Sequence, residues 1–280
     1  CDCFPRSCLK PSEDDVFCGT PPIAFTFGLG GMLCFPLRFG ASTVLVEKLA
    51  PDTLLETIQK FRASVCFTAP TMFRAMAGIA KNYDLASLKK CVSAGEALPD
   101  ATRQLFKSAT GLEIIDGIGS TEMIHIFISH TPERVRRGAT GYAIPGYRAT
   151  VLDDEGRPCR PGEIGRLAVK GPTGCRYLAD ERQANYVQNG WNLTGDAYAM
   201  DADGYFFYQA RTDVANARLQ LTNAENAYET SKAQLNQARV NLAYTIIRSP
   251  IDGVVIARSG AASLTTRPRH QPHLSARYAR

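Results

Sequence analysis

At 280 residues and 45% hydrophobic composition, the chain can bury a sizeable core and hold one or two domains. Its net charge of +5 would suit an anionic partner, but Arg258, Arg267, Arg269, Arg277 and Arg280 all lie beyond the last acid, Asp252; without them 27 basic residues face 27 acidic ones. A balanced body excludes a nucleic-acid role resting on charge.

Nine cysteines, none beyond Cys175, form no CxxC pair. Cys1, Cys3 and Cys8 have no nearby histidine and no zinc-like spacing. The odd, scattered set points to reduced thiols and a cytoplasmic protein, so the sequon at Asn192-Leu193-Thr194 is discounted. Val16 to Leu37 is uncharged and long enough to cross a membrane, but Pro21, Pro22, Pro36 and four glycines interrupt it, predicting a buried strand, loop and helix with no membrane span. No signal-peptide pattern is present. The chain opens on Cys rather than Met, and so reads as a piece of something longer.

From residue 1 to 137 strands and helices alternate. Strands are predicted at Ser42–Val46, Val65–Phe67, Lys90–Ser93 and Leu112–Ile115, with helices at Pro51–Phe61, Thr71–Ala80 and Pro99–Ser108 between them. That order predicts an α/β subdomain, a mainly parallel sheet with helices on both faces. Sites in such sheets lie beyond the strand C-termini, where Gly95-Glu96-Ala97 and Asp116 to Thr121 both fall. The second stretch reads as a buried strand running into a glycine turn, Gly117 and Gly119 allowing close backbone approach to a ligand. A strand-to-helix turn capped by Ser120 or Thr121 is the alternative.

From 138 to 210 the texture becomes short strands with tight turns. Ala149–Leu152 and Arg166–Lys170 read as strands, Asp153-Asp154-Glu155-Gly156 as a hairpin turn and Leu178–Val187 as a helix, a small antiparallel β subdomain. Over 211–243 no Gly or Pro occurs, and Val214, Ala217, Leu221, Ala224, Tyr228, Ser231, Leu235, Ala238 and Leu242 alternate intervals of three and four. This is a heptad with a small-residue seam. A lone helix of this kind exposes its seam and is expected to self-associate, dock or fray. Strand, turn and strand follow over 244–257, and 258–280 reads as a disordered basic tail.

The run Asp116-Gly117-Ile118-Gly119-Ser120-Thr121-Glu122 resembles the adenylate-binding motif of the AMP-forming acyl-CoA synthetases. Ser93 to Pro99, Pro161 to Leu167, Thr194-Gly195-Asp196 and Arg211-Thr212-Asp213 follow the same family's order, covering residues 1 to 213. Ile23 to Gly31 and Asp116 to His125 make the chain most similar to the benzoate and 2-aminobenzoate CoA ligases. The resemblance implies two half-reactions on an aromatic carboxylate, adenylation by ATP and then displacement of AMP by CoA. It implies that Gly95, Glu96, Ala97, Asp116, Gly117 and Ile118 pack around adenine, that Thr121 binds the α-phosphate and Glu122 the Mg²⁺ ion, and that Asp196 and Arg211 hold the ribose. Thr26, Phe27, His125 and Ile126 resemble the aryl pocket, with a core or capping histidine as the alternative for His125. Many family members carry an aromatic ring where Ile118 stands.

The family's phosphate loop and its C-terminal lysine domain are expected to lie outside this chain, so turnover is expected to be impaired. Residues 214–257 resemble a hairpin arm and half a lipoyl-like domain of periplasmic adaptor proteins. The alternatives to a ligase fragment are therefore an interaction module, or a non-functional chimera joined near 211–217.

Overall fold

A computed structural model of the chain describes residues 2–47, 49–209, 231–232, 234–236 and 238–239. It divides into two compact units, Cys1–Arg211 and Thr212–Arg280. The seven described residues of the second unit are helical and exposed. The remainder of the expected heptad helix, the strands expected over 244–257, the tail and Arg211 lie outside the described residues. Among the described residues no helix is long and apolar enough to cross a membrane.

Seven strands of the first unit form one sheet: β1 (Val16–Gly19), β2 (Ser42–Leu45), β3 (Val65–Thr68), β4 (Lys90–Ser93), β5 (Ile114–Gly119), β6 (Ile126–Ser129) and β7 (Tyr142–Ala143). Their order is β2-β1-β3-β4-β5-β6-β7. The first five are mutually parallel, while β6 and β7 are antiparallel additions. The sheet is therefore mixed. The link from β5 to β6 is too short for the crossover that a parallel neighbour requires, so the chain reverses.

Alternate residues of each parallel strand serve opposite faces. Cys18, Cys66, Cys91 and Ile114 meet the helices Pro51–Phe61, Pro70–Ile79 and Asp100–Thr110 through Leu55, Phe73 and Phe106. Phe17, Phe67, Val92 and Ile115 point the other way, toward Phe4, Leu9, Met32 and Phe35. That second layer comprises a π-helical turn at Pro5–Leu9, absent from the sequence reading, and a helical run from Thr26 to Phe39 whose middle, Leu29–Cys34, is π-helical.

Helix Asp100–Thr110 is fixed to the start of β5 by Arg103, 9% exposed, which donates to Asp100 (2.8 Å) and to both oxygens of Glu113 (3.0 and 3.1 Å). This clamp also sets the loop before the helix. Arg103→Lys keeps the charge but loses the planar fork. We expect a cost of about 1–2 kcal/mol, read as a lower midpoint in urea; an unchanged midpoint would show that the fork is dispensable.

A second, antiparallel sheet contains β8 (Arg148–Leu152), β9 (Ile164–Lys170), β10 (Val187–Gln188), β11 (Trp191–Met200) and β12 (Phe206–Tyr208), ordered β10-β11-β9-β8 with β12 also on β11. The helix expected over Leu178–Val187 shrinks to Arg182–Tyr186, because Val187 enters β10 and pairs with Asn192. The two sheets share a core in which Met123, Phe127 and Ile128 meet Val151, Leu167 and Phe206. Backbone bonds stitch the junction: Thr140 N–H to the Phe206 carbonyl (2.9 Å) and Phe206 N–H to the Gly141 carbonyl (2.8 Å).

Candidate nucleotide-binding site

The loop after β4, the middle of β5 and a bulge in β11 meet at the junction of the two sheets. Gly95, Glu96, Ala97, Asp116, Gly117, Ile118 and Asp196 line one cleft of about 230 Å³ there, together with Thr140, Tyr198 and Tyr208. Three segments separated by many residues in sequence thus converge on one concavity.

Each segment is placed by a local cause. Gly95 turns the chain at φ +87°, in the left-handed region that favours glycine, leaving Glu96 and Ala97 exposed at the rim. Asp116 to Gly119 are strand residues of β5, not the glycine turn expected from sequence. Gly117 and Gly119 are required by packing: a Cβ on Gly117 would stand 2.9 Å from the Ile126 side chain, and one on Gly119 2.6 Å from the His125 carbonyl. The turn itself comes at 120–125. There the Ser120 hydroxyl accepts from Met123 N–H (3.2 Å), and Ile124, β-branched and exposed, is held at φ +73°. A β-branched residue in that region stores strain.

Asp116 is 7% exposed and its Oδ1 has no hydrogen-bond partner. Burial pushes its pKa up to about 8, so the carboxyl is largely protonated at neutral pH. Its backbone is pinned from β6. Asp116 N–H donates to His130 Nε2 (3.1 Å), and the Ser129 hydroxyl donates to the Asp116 carbonyl (2.6 Å). His130 Nδ1 lies 3.0 Å from the Thr131 carbonyl. The two contacts together define the neutral tautomer with the proton on Nδ1.

Asp196 enters through an irregularity. The pairing of β11 with β9 shifts register between Leu193 and Ala197, and Gly195 sits at φ +85°. Thr194-Gly195-Asp196 is therefore a bulge inside a ten-residue strand, which re-aims a carboxyl that the regular pleat would place differently. Asp196 is half-buried; burial raises its pKa against the Thr194 hydroxyl.

Thr121 and Glu122 do not line the cleft. Thr121 is exposed, and Glu122 is half-buried and accepts from the Tyr177 hydroxyl (2.8 Å). Among the described residues no group of three or more His, Cys, Asp or Glu side chains could hold a metal. Glu122 offers one carboxylate, which suits Mg²⁺ when phosphate oxygens and water complete the shell.

Phe27, His125 and Ile126 meet in the aromatic layer behind the sheet, with Thr26 beginning the helical run beside them. The His125 ring is caged by Phe35 (4.6 Å between centroids), Phe4 (5.6 Å) and Phe27 (5.9 Å), and a Cβ on Gly30 would come within 2.3 Å of it. The residue as a whole is half-buried, but its two ring nitrogens are closed to solvent and have no hydrogen-bond partner. Burial brings its pKa down to about 4, so the imidazole is neutral.

Sequence reasoning did not find Thr140, Tyr198 or Tyr208. These are a threonine and tyrosines in unexceptional strand and loop contexts. Only the packing of the second sheet onto the first aims them at the site; the Thr140 and Tyr198 hydroxyls lie 3.2 Å apart at that seam.

A mixed α/β sheet with its cleft at the carboxyl ends of β4 and β5, closed by a carboxylate from a second sheet, is the architecture of a nucleotide-binding enzyme domain. The family model of the AMP-binding enzymes matches residues 2–177, and the chain belongs to that family. It is 34% identical to the benzoate–CoA ligase of Thauera aromatica over 75% of this chain and 41% of that protein. It is also 34% identical to the anthranilate–CoA ligase of Pseudomonas aeruginosa over 76% and 42%. Among solved structures, the anthranilate CoA ligase AuaEII in complex with anthranoyl-AMP superposes with a TM-score of 0.71 at 40% identity, covering 75% of this chain and 41% of that one. A benzoate CoA ligase from Burkholderia xenovorans LB400 gives 0.69 at 33%, covering 76% and 44%. The chain thus spans less than half the length of these relatives.

Proposed function

We propose that the chain is the adenine-nucleotide-binding part of an aryl-CoA ligase acting on benzoate or 2-aminobenzoate. The observation that carries this reading is the convergence of the 95–97 loop, the β5 stretch 116–118 and the bulged Asp196 on one cleft. At its wall stands a buried carboxyl oxygen without a partner. An orphaned polar atom of that kind is costly unless a ligand completes it. The exocyclic amine of adenine supplies the missing hydrogen bond.

In this reading Gly95, Glu96 and Ala97 cover one side of the base, Gly117 and Ile118 the other, and Asp196 accepts from both ribose hydroxyls. Thr121 donates to the α-phosphate. Mg²⁺, held by Glu122 and the nucleotide's own phosphates, supplies charge neutralisation when bound. The aromatic carboxylate enters the cage of Phe27, His125 and Ile126, where an ortho amino group would satisfy the orphaned imidazole acceptor and an unsubstituted ring would not. Overall the carboxylate displaces pyrophosphate from ATP to give acyl-adenylate, and the CoA thiol then displaces AMP to give the thioester. No lysine or arginine among the described residues lines the cleft, and positioned cations at developing phosphate charge contribute orders of magnitude in rate. The isolated chain is therefore a binder that turns over slowly.

Calorimetry with AMP tests the reading. We expect saturable binding, weakened at least tenfold by Asp196→Ala, in line with the loss of charge-assisted hydrogen bonds. No heat at millimolar AMP would remove the assignment.

A further inference from the structure

A second cavity of about 160 Å³ adjoins the cleft, and the two share Ala97, Asp116, Thr140 and Tyr208 as lining residues. Beyond that shared wall apolar Leu98, Pro99, Val135 and Ala139 line it together with Asp100, Arg103, His130 and Arg136. The charged groups facing it are already paired: Arg136 bonds to Asp201 and Asp203, and Arg103 to Asp100 and Glu113. The cavity therefore offers room and apolar surface rather than an unmet charge. Asp116 borders both spaces, and its Oδ1 lacks a partner.

We propose that this second cavity is an annex to the nucleotide cleft that accepts an apolar substituent on the exocyclic nitrogen of adenine, so that the site binds N6-aralkyl adenine nucleotides. The inference rests on the nucleotide reading above. The reason is geometric and chemical. The group that would meet the exocyclic amine, the Asp116 carboxyl, stands on the wall between the two spaces, so a substituent on that nitrogen projects past it into the annex. A singly substituted amine keeps one N–H, enough to serve the orphaned oxygen. Apolar lining removed from water by the substituent adds to binding.

The test is calorimetry on the full chain with AMP and with N6-benzyl-AMP, repeated on Ala139→Phe, which adds bulk to the annex from a position that lines the annex and not the cleft. N6-benzyl-AMP should bind within threefold of AMP or more tightly. Ala139→Phe should weaken N6-benzyl-AMP at least tenfold and leave AMP within twofold. If AMP binds and N6-benzyl-AMP is more than tenfold weaker on the unaltered chain, the annex assignment is wrong while the nucleotide site stands. Equal loss of both ligands in Ala139→Phe also overturns the annex, because the substitution then acts on the cleft as a whole. If neither ligand binds the unaltered chain, the nucleotide reading fails and the annex with it.

Discussion

Replacing Asp116 with asparagine should make the protein more stable at neutral pH. The folded pKa is raised to about 8 by burial, far above an ordinary aspartate. Between about pH 4 and pH 8 the folded state keeps a proton that the unfolded chain has released, so stability falls as pH rises through that window. Below it both states are protonated and no cost remains. Asparagine has nothing to ionise. Asp116→Asn should therefore match the parent at pH 4 and exceed it by about 4 kcal/mol at pH 7, a rise of roughly 8–16 °C in melting temperature for a unit of this size. Melting curves across pH 4 to 9 check it, and parallel curves for the two proteins would mean that the carboxyl is solvated and ionised in the fold. The same substitution probes the site. An amide presents a donor and an acceptor, as the protonated carboxyl does, so AMP binding should survive at pH 7. Above pH 8 the parent's carboxyl ionises and becomes a stronger acceptor for the adenine amine, so the parent should bind AMP more tightly there, whereas the variant should show no such gain.

The opposite sign is expected at Gly141, where alanine should cost about 4 kcal/mol. Its φ is +139°, outside the usual range of residues with a side chain, which alone costs of order 1–3 kcal/mol. A Cβ there would also stand 2.2 Å from the Ser129 carbonyl oxygen. Neither backbone can yield freely, because Gly141 and Phe206 bridge the two sheets. Gly156 is the control. It has φ +79° but open space around the missing Cβ, so Gly156→Ala should cost only about 1 kcal/mol. Equal losses at the two positions in thermal or urea denaturation would show that the contact with Ser129 is not the cause. Because Thr140 and Phe206 flank the junction, Gly141→Ala should also loosen the cleft wall formed by Thr140 and Tyr208.

Some of this was legible without coordinates. Alternating apolar runs and helical stretches between them announce the parallel part of the sheet, and helix Pro51–Phe61 and strand Lys90–Ser93 fall where the sequence puts them. Motif order alone brings Gly95 and Asp116 to neighbouring strands. What could not be read is equally specific. Asp116-Gly117-Ile118-Gly119 looks like a turn because glycines usually mark one, yet here they are strand residues shaved to admit Ile126 and His125 from the reversed partner strand. Thr194-Gly195-Asp196 likewise looks like a turn and is a bulge, since only the pairing of β11 with β9 reveals the slipped register.

Periodicity and local backbone preference act over a few residues and are written in the sequence itself, so the sequence determined the parallel strands with the helices between them, the α/β class and the family. Where β6 reverses, which hydroxyls from the second sheet reach the cleft, and why Asp116 holds its proton were decided by the tertiary structure. Each depends on groups far apart in the chain being brought together and shut off from water.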